Sequence, residues 1–98
     1  MTQYVRPLAM TIIVQSEPRQ LPSGKPRLGE FRIRTDSTNS GDIYLADSAA
    51  GADSSLRYAI PAGSEETIKV TDLRELWYHG TANDVFSIFT EIVEERIW

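Results

Sequence analysis

Cysteine is absent from the 98 residues, and histidine occurs once, at position 79. The first absence excludes a disulfide framework, a thiolate zinc site and a thiol nucleophile. The second excludes a multi-histidine metal site within one chain. No apolar run approaches the roughly 18 residues a helix needs to cross a bilayer, and the N-terminal segment lacks a basic stretch followed by an apolar one and a small-residue cleavage site. A soluble, unexported product without membrane contact is expected. Positive charge is also scarce: 10 Lys and Arg against 14 Asp and Glu leave a net charge of -4, which argues against general nucleic-acid binding, since that needs a basic surface.

A chain of this length forms one domain, residues 1–98, burying about 60–70 % of its unfolded surface around a single thin core. A deep private active site is not expected. Charge is uneven along the chain. Residues 1–49 carry six cations against five acids, and residues 50–98 carry four against nine. Such a split can steer a basic loop of one subunit onto the acidic face of a neighbour, or simply make a mixed soluble surface.

Short alternating runs separated by turn residues dominate residues 41–92, with Ile60-Pro61-Ala62-Gly63 at the centre, and this spacing predicts an all-β chain folded as a single antiparallel β-sandwich, Ig-like or jelly-roll-like. Residues 1–9 lack periodicity and contain Pro7, so they are expected as an extended N-terminal arm. Met10 to Gln15 alternates as a strand. Residues 16–29, with Pro18, Pro22, Pro26, Gly24 and Gly29, predict a long basic loop; a loop of more than about 12 residues is either a contact surface or a solvated connection. Glu30 to Arg34 and Ile43 to Ala46 read as half-buried strands, 46–55 as an exposed loop, and 56–60, 67–70 and 76–79 as further strands. Residues 85–93 also fit a helical stripe, but their Val, Ile and Thr content favours a strand buried on both faces. In the 94–98 tail, Ile97 and Trp98 are two apolar residues that either dock on a neighbour or fold back on the domain.

Catalytic chemistry is not expected. His79 has no positioned nucleophile or strand-turn-helix serine motif beside it. Glu65-Glu66 and Glu94-Glu95 are adjacent in sequence, so in a strand they point to opposite faces and cannot converge as acid and base. From Asp36, residues 38, 40, 41, 43 and 47 fall near calcium-loop positions, but with hydroxyls in place of acids, Asp47 in place of a bidentate Glu, and flanking strands; a turn is the better reading. No metal and no cofactor are expected. Tyr44, Tyr58 and Trp77 are candidate ligand aromatics, able to stack on sugar rings, or equally residues of a core or protein interface.

Gly41-Asp42-Ile43-Tyr44-Leu45-Ala46-Asp47, Ile60-Pro61-Ala62-Gly63-Ser64-Glu65, Val70-Thr71-Asp72-Leu73 and Leu76-Trp77-Tyr78-His79-Gly80 with Asn83-Asp84-Val85 together resemble small structural proteins of tailed-phage virions. Those proteins often show an IYVG strand, a PL-x-PG-E turn, a DL-x-x-LYV-x-G pair of strands and a last apolar strand. Ala46-Asp47 stands where that family tends to have glycine. The resemblance covers about half the chain and implies an architectural, non-catalytic role: a capsid-decoration or head-tail subunit localised in the virion, bound to a major capsid or connector protein and to copies of itself. Tyr4, Arg6, Arg19, Lys25, Arg27, Ile97 and Trp98 are the candidate interface residues. The alternative is a glycan- or receptor-binding module of a tail or fibre using Tyr44, Tyr58 and Trp77.

Overall fold

Alternation sets the layers. Along Glu30–Thr35 the side chains of Phe31, Ile33 and Thr35 are buried while Arg32 and Arg34 face solvent, which is what a strand with one wet face requires. The computed structural model describes residues 2–52 and 58–96, and the side chains of 5–52 and 58–93. Within these, the strands are β1 (Thr2–Ile13), β2 (Arg19–Gln20), β3 (Glu30–Thr35), β4 (Ile43–Ala46), β5 (Tyr58–Ile60), β6 (Glu65–Lys69), β7 (Trp77–His79) and β8 (Val85–Arg96), with one short helix, α1 (Ala49–Ala52), and a 3-10 turn at Leu73–Glu75.

The strands form two antiparallel four-stranded sheets, in the orders β1-β8-β3-β6 and β2-β7-β4-β5. Doubling the chain back between β4 and β5 would lay β1 on β8, β2 on β7, β3 on β6 and β4 on β5, and all four pairings are present. This is the topology of a jelly roll, so the sandwich is of that kind rather than Ig-like. Phe31, Ile33, Ile43, Ile60, Phe86 and Ile88, each at most 1 % exposed, fill the space between the sheets. Tyr78 meets Phe86 edge-on, with ring centroids 5.1 Å apart.

Turns are held by polar side chains. Asn83, at φ 76, and Asp84 both oppose Val14: Val14 N donates to Asp84 O at 2.8 Å and Asn83 N to Val14 O at 2.9 Å. Two residues facing one, the first in a left-handed conformation, make a bulge that starts β8. The Asp84 carboxylate is buried and accepts from the backbone N–H of Ser40 (2.9 Å) and Gly41 (3.1 Å), while the Asn39 side chain exchanges bonds with both backbone groups of Val85. Pro61–Ser64 turns with Gly63 at φ 75, where only glycine is unstrained.

Several expectations need correction. Residues 2–9 are not an extended arm: together with the stretch expected to begin a strand at Met10 they form one 12-residue strand, paired to β8 from Thr2↔Arg96 to Ile13↔Val85. The continuous ladder crosses Pro7 because an edge strand can keep an imide nitrogen on its unpartnered side. At about 3.4 Å per residue the β1–β8 ribbon accounts for most of the 46 Å long axis. Residues 16–29 are not a solvated loop but a strap: Leu21 is 2 % exposed, Pro26 bridges Ile92, and a Cβ on Gly24 would lie 2.9 Å from the Ile92 side chain. Residues 46–55, expected as exposed loop, include α1 and the fully buried Ala52. Residues 85–93 are strand, but only Phe86, Ile88 and Ile92 are buried; the alternate residues lie half-exposed on the outer face.

Candidate functional site

The candidate interface residues do not form one patch. Arg6 pairs in register with Ile92, and Lys25 and Arg27 flank the other side of the same strand, with Val93 N donating to Lys25 O at 3.0 Å and Arg27 N to Glu91 O at 2.7 Å. Arg19 is in the other sheet, opposite Tyr78, and its guanidinium lies 3.0 Å from Glu17. The side chain of Tyr4 and all of Ile97 and Trp98 lie outside the described residues. Arg6 therefore shares the side of Ile92, whereas Lys25 and Arg27 flank the buried Pro26 that pairs with Ile92 and point to the opposite side, so the three lie along residues 91–93 without forming one basic surface.

The outer face of the β1-β8-β3-β6 sheet carries an open groove of about 390 Å³ lined by Pro7, Ala9, Leu28, Arg32, Thr67 and Phe89, among others. Leu28 is 74 % exposed at its rim. Arg34 stacks over Phe89 at 5.6 Å. Arg32 and Arg34 each lie 3.5 Å from Glu65, and Arg27 lies 3.5 Å from Glu91. These exposed pairs fix side-chain positions more than they add stability.

Of the candidate ligand aromatics, the fold brings two together. Tyr44 lies opposite His79, and Trp77 opposite Ala46, so Tyr44, Trp77 and His79 share the outer face of the second sheet, all half-buried. α1 packs on β4 and β7 and roofs part of that face. Tyr58 does not join them: it pairs with Leu45, whose side chain is buried, and its hydroxyl meets Glu66, which raises its pKa above the usual 10.0 because the phenol donates to the carboxylate. His79 was discounted as a base, and its place beside Tyr44 follows from pairing register, which spacing along the chain does not reveal.

No group of three or more His, Cys, Asp or Glu that could hold a metal exists among the described residues. Asp36, the first position of the calcium-like run, accepts from Thr38 N (2.9 Å) and Thr38 Oγ1 (2.7 Å), bonds that hold its pKa below 3.8. That is turn chemistry. Glu65 is exposed and Glu66 half-buried on opposite sides of β6.

Asp72, which the sequence had not singled out, is 8 % exposed and accepts from Gly24 N (3.1 Å) and Arg74 N (3.1 Å), while the Asp72 backbone N–H donates to Glu75 Oε2 at 3.3 Å. The bond from Gly24 foremost, then Arg74 and Lys25, hold its pKa below 3.8. A pKa lowered by folding means stability that is complete above the unfolded value and is lost as pH falls through the folded one. Denaturant melts from pH 7 to pH 2 should show Asp72→Asn less stable than the parent at neutral pH, with the gap narrowing as pH falls below the unfolded carboxylate value of about 3.9. A gap independent of pH would contradict the assignment.

No protein-family model matches the chain, and no curated protein matches it. Two solved structures are similar. A chain of Bacillus endospore appendages, described as a novel family of disulfide-linked pili, aligns with a TM-score of 0.56 at 11 % identity, covering 94 % of this chain and 86 % of that one. A de novo designed double-stranded β-helix aligns with a TM-score of 0.46 at 9 % identity, covering 91 % and 99 %. The first likeness is one of fold alone.

Proposed function

We propose that the chain is a non-catalytic structural subunit of a tailed-phage virion, bound to the capsid surface or the head-tail junction and bridging its neighbours. The observation that carries this reading is the distribution of apolar side chains. The buried ones fill the space between two sheets, and among the described residues the large exposed ones, Val5, Ile13, Leu28 and Tyr58, are scattered over strand and strap surface without a convergent set of acids, bases or nucleophiles. A stiff body with adhesive edges suits holding, not turnover. Jelly rolls also serve as viral capsid domains, although fold by itself does not fix function. The partners in this reading are a major capsid or connector protein and copies of the chain. The spore-appendage likeness is compatible with a structural subunit, and without cysteine this chain would hold neighbours non-covalently.

Particles assembled without the chain test the reading. They should form but release their genome at a lower temperature, and adding the purified chain back should restore the release temperature. Unaltered release in its absence would contradict the proposal.

A second reading rests on Tyr44 and Trp77 sharing one face: a glycan-binding module, since lectin domains also use this architecture. Glycan-array binding abolished by Trp77→Ala, with particle stability independent of the chain, would favour it.

A further inference from the structure

The sheet edges differ in length. β2, β5 and β6 leave edges of 2, 3 and 5 residues, and β6 arms its own with Glu65, Glu66 and Lys69. β1 leaves 12 residues at the end of its sheet, with no strand on its far side among the described residues. A long bare edge of this kind is a template for another strand.

Hydrogen-bond parity says which of its groups are free. Val14 N donates to Asp84 O, and antiparallel pairing alternates. Ile12, Met10 and Leu8 therefore exchange bonds with β8, while Ile13, Thr11 and Ala9 aim N–H and C=O outward. On the other side of β8 the parity agrees, since Asp36 N donates to Val85 O at 3.0 Å. The same alternation turns the nitrogen of Pro7 outward, where it leaves the ladder to β8 intact and interrupts the free edge. What remains is Leu8–Ile13, uncharged, with Thr11 its one polar side chain.

We infer that this segment pairs antiparallel with the same segment of a second copy, Thr11 facing Thr11 across a two-fold axis and Ala9 facing Ile13. A second copy fits because an isologous contact must be self-complementary. Here no charge opposes itself, and Thr-Thr and aliphatic cross-strand pairs are favourable. The two four-stranded sheets become one continuous sheet, and Ile13, 58 % exposed in the single chain, gains a cross-strand neighbour. Pro7 and the charge of Arg6 end the pairing, confining it to residues 9–13 and about six N–H···O bonds. So short a strand contact buries less than the roughly 1,200 Å² of a stable interface. The dimer is therefore weak alone and reinforced wherever other contacts hold copies together. The inference deepens the assembly reading above and rests on it for its setting.

Sedimentation velocity on the full chain, from about 10 μM to about 1 mM, tests it. The parent should pass from monomer to dimer. Thr11→Pro removes an outward N–H and the exposed hydroxyl contact of Thr11 with Ser87 at 3.1 Å, neither of them a ladder bond to β8, so it should lower the parent's urea midpoint only slightly, as Thr11→Val should, and weaken dimerisation at least tenfold; Ile13→Lys, which places a charge on the exposed edge without touching the backbone, should weaken it as much. A parent that stays monomeric throughout, or variants that dimerise as readily as the parent, would overturn the inference. The two proposals fail separately. A monomer that still occupies particles removes the edge pairing and leaves the assembly role; a dimer that never enters particles does the reverse.

Discussion

Phe86→Ala is expected to destabilise the fold by about 3–5 kcal/mol. Phe86 is 0 % exposed, sits in the central β8 strand between β1 and β3, and packs edge-on against Tyr78 of the facing sheet. Removing the ring loses its transfer free energy, leaves a cavity between sheets that cannot close on it, and deletes a cross-sheet aromatic contact of about 0.5–1.5 kcal/mol. For a single domain with about 5–15 kcal/mol in total, this is a fifth of the stability or more, and at the low end enough to bring the chain near its unfolding midpoint. Phe89→Ala is the internal control. Three residues on, its ring lies half-exposed on the outer face under Arg34, so its loss should cost no more than about 1 kcal/mol. Equal costs in urea melts would mean that the inward and outward faces of β8 are wrongly assigned.

The second large effect is Asp84→Ala, with an expected cost of about 3 kcal/mol. Its carboxylate is 5 % exposed as a residue and satisfies the N–H groups of Ser40 and Gly41. Truncation removes the acceptor of two donors, on exposed Ser40 and half-buried Gly41; each bond to a charged acceptor contributes about 1.5–3 kcal/mol, and water replaces part of that at Ser40. Asp84→Asn keeps one acceptor and should recover about half. Amide exchange gives a local readout: Ser40 and Gly41 should lose protection in both variants before the core strands do. A cost below about 1 kcal/mol for the alanine variant would show that the 36–41 turn is held by Asp36 and Asn39 without Asp84.

These two residues also illustrate what the sequence made legible. Strands with one wet and one dry face declared themselves, because alternation at Glu30–Thr35 and Ile43–Ala46 reports burial directly. The Val, Ile and Thr content of β8 reads as a strand but also as one buried on both faces, whereas Phe89 and Val93 lie half-exposed, because a sheet face turned to solvent can still carry apolar residues. β1 was misread for two reasons. Pro7 looked like a breaker, and whether an imide breaks a ladder depends on which way its nitrogen points, a parity fixed by the bulge at Asn83-Asp84 far along the chain. Val5, Pro7 and Ala9 also put small or apolar residues on the outer face, so no alternation was left to see. The strap was hidden because Leu21, Gly24 and Pro26 are ordered by Leu76, Asp72 and Ile92, contacts made across the sequence. Asp84 left a trace that spacing could have caught, an acid directly before an apolar strand and after a Thr-Ala-Asn turn.

The basic segment of the candidate interface was legible as composition but not as place. Chain proximity groups Lys25 and Arg27 with Arg19, whereas the fold sends Arg19 to the opposite sheet and separates Arg6 from the other two by β8 and by strand parity.

The central claim is that this jelly roll works by occupying a fixed place among other subunits. Density-gradient purification of particles from a source culture producing the chain, with quantitative mass spectrometry across the fractions, tests it most directly. The account predicts that the chain sediments with intact virions at a constant copy number relative to the major capsid protein. Recovery of the chain only from particle-free fractions would contradict it.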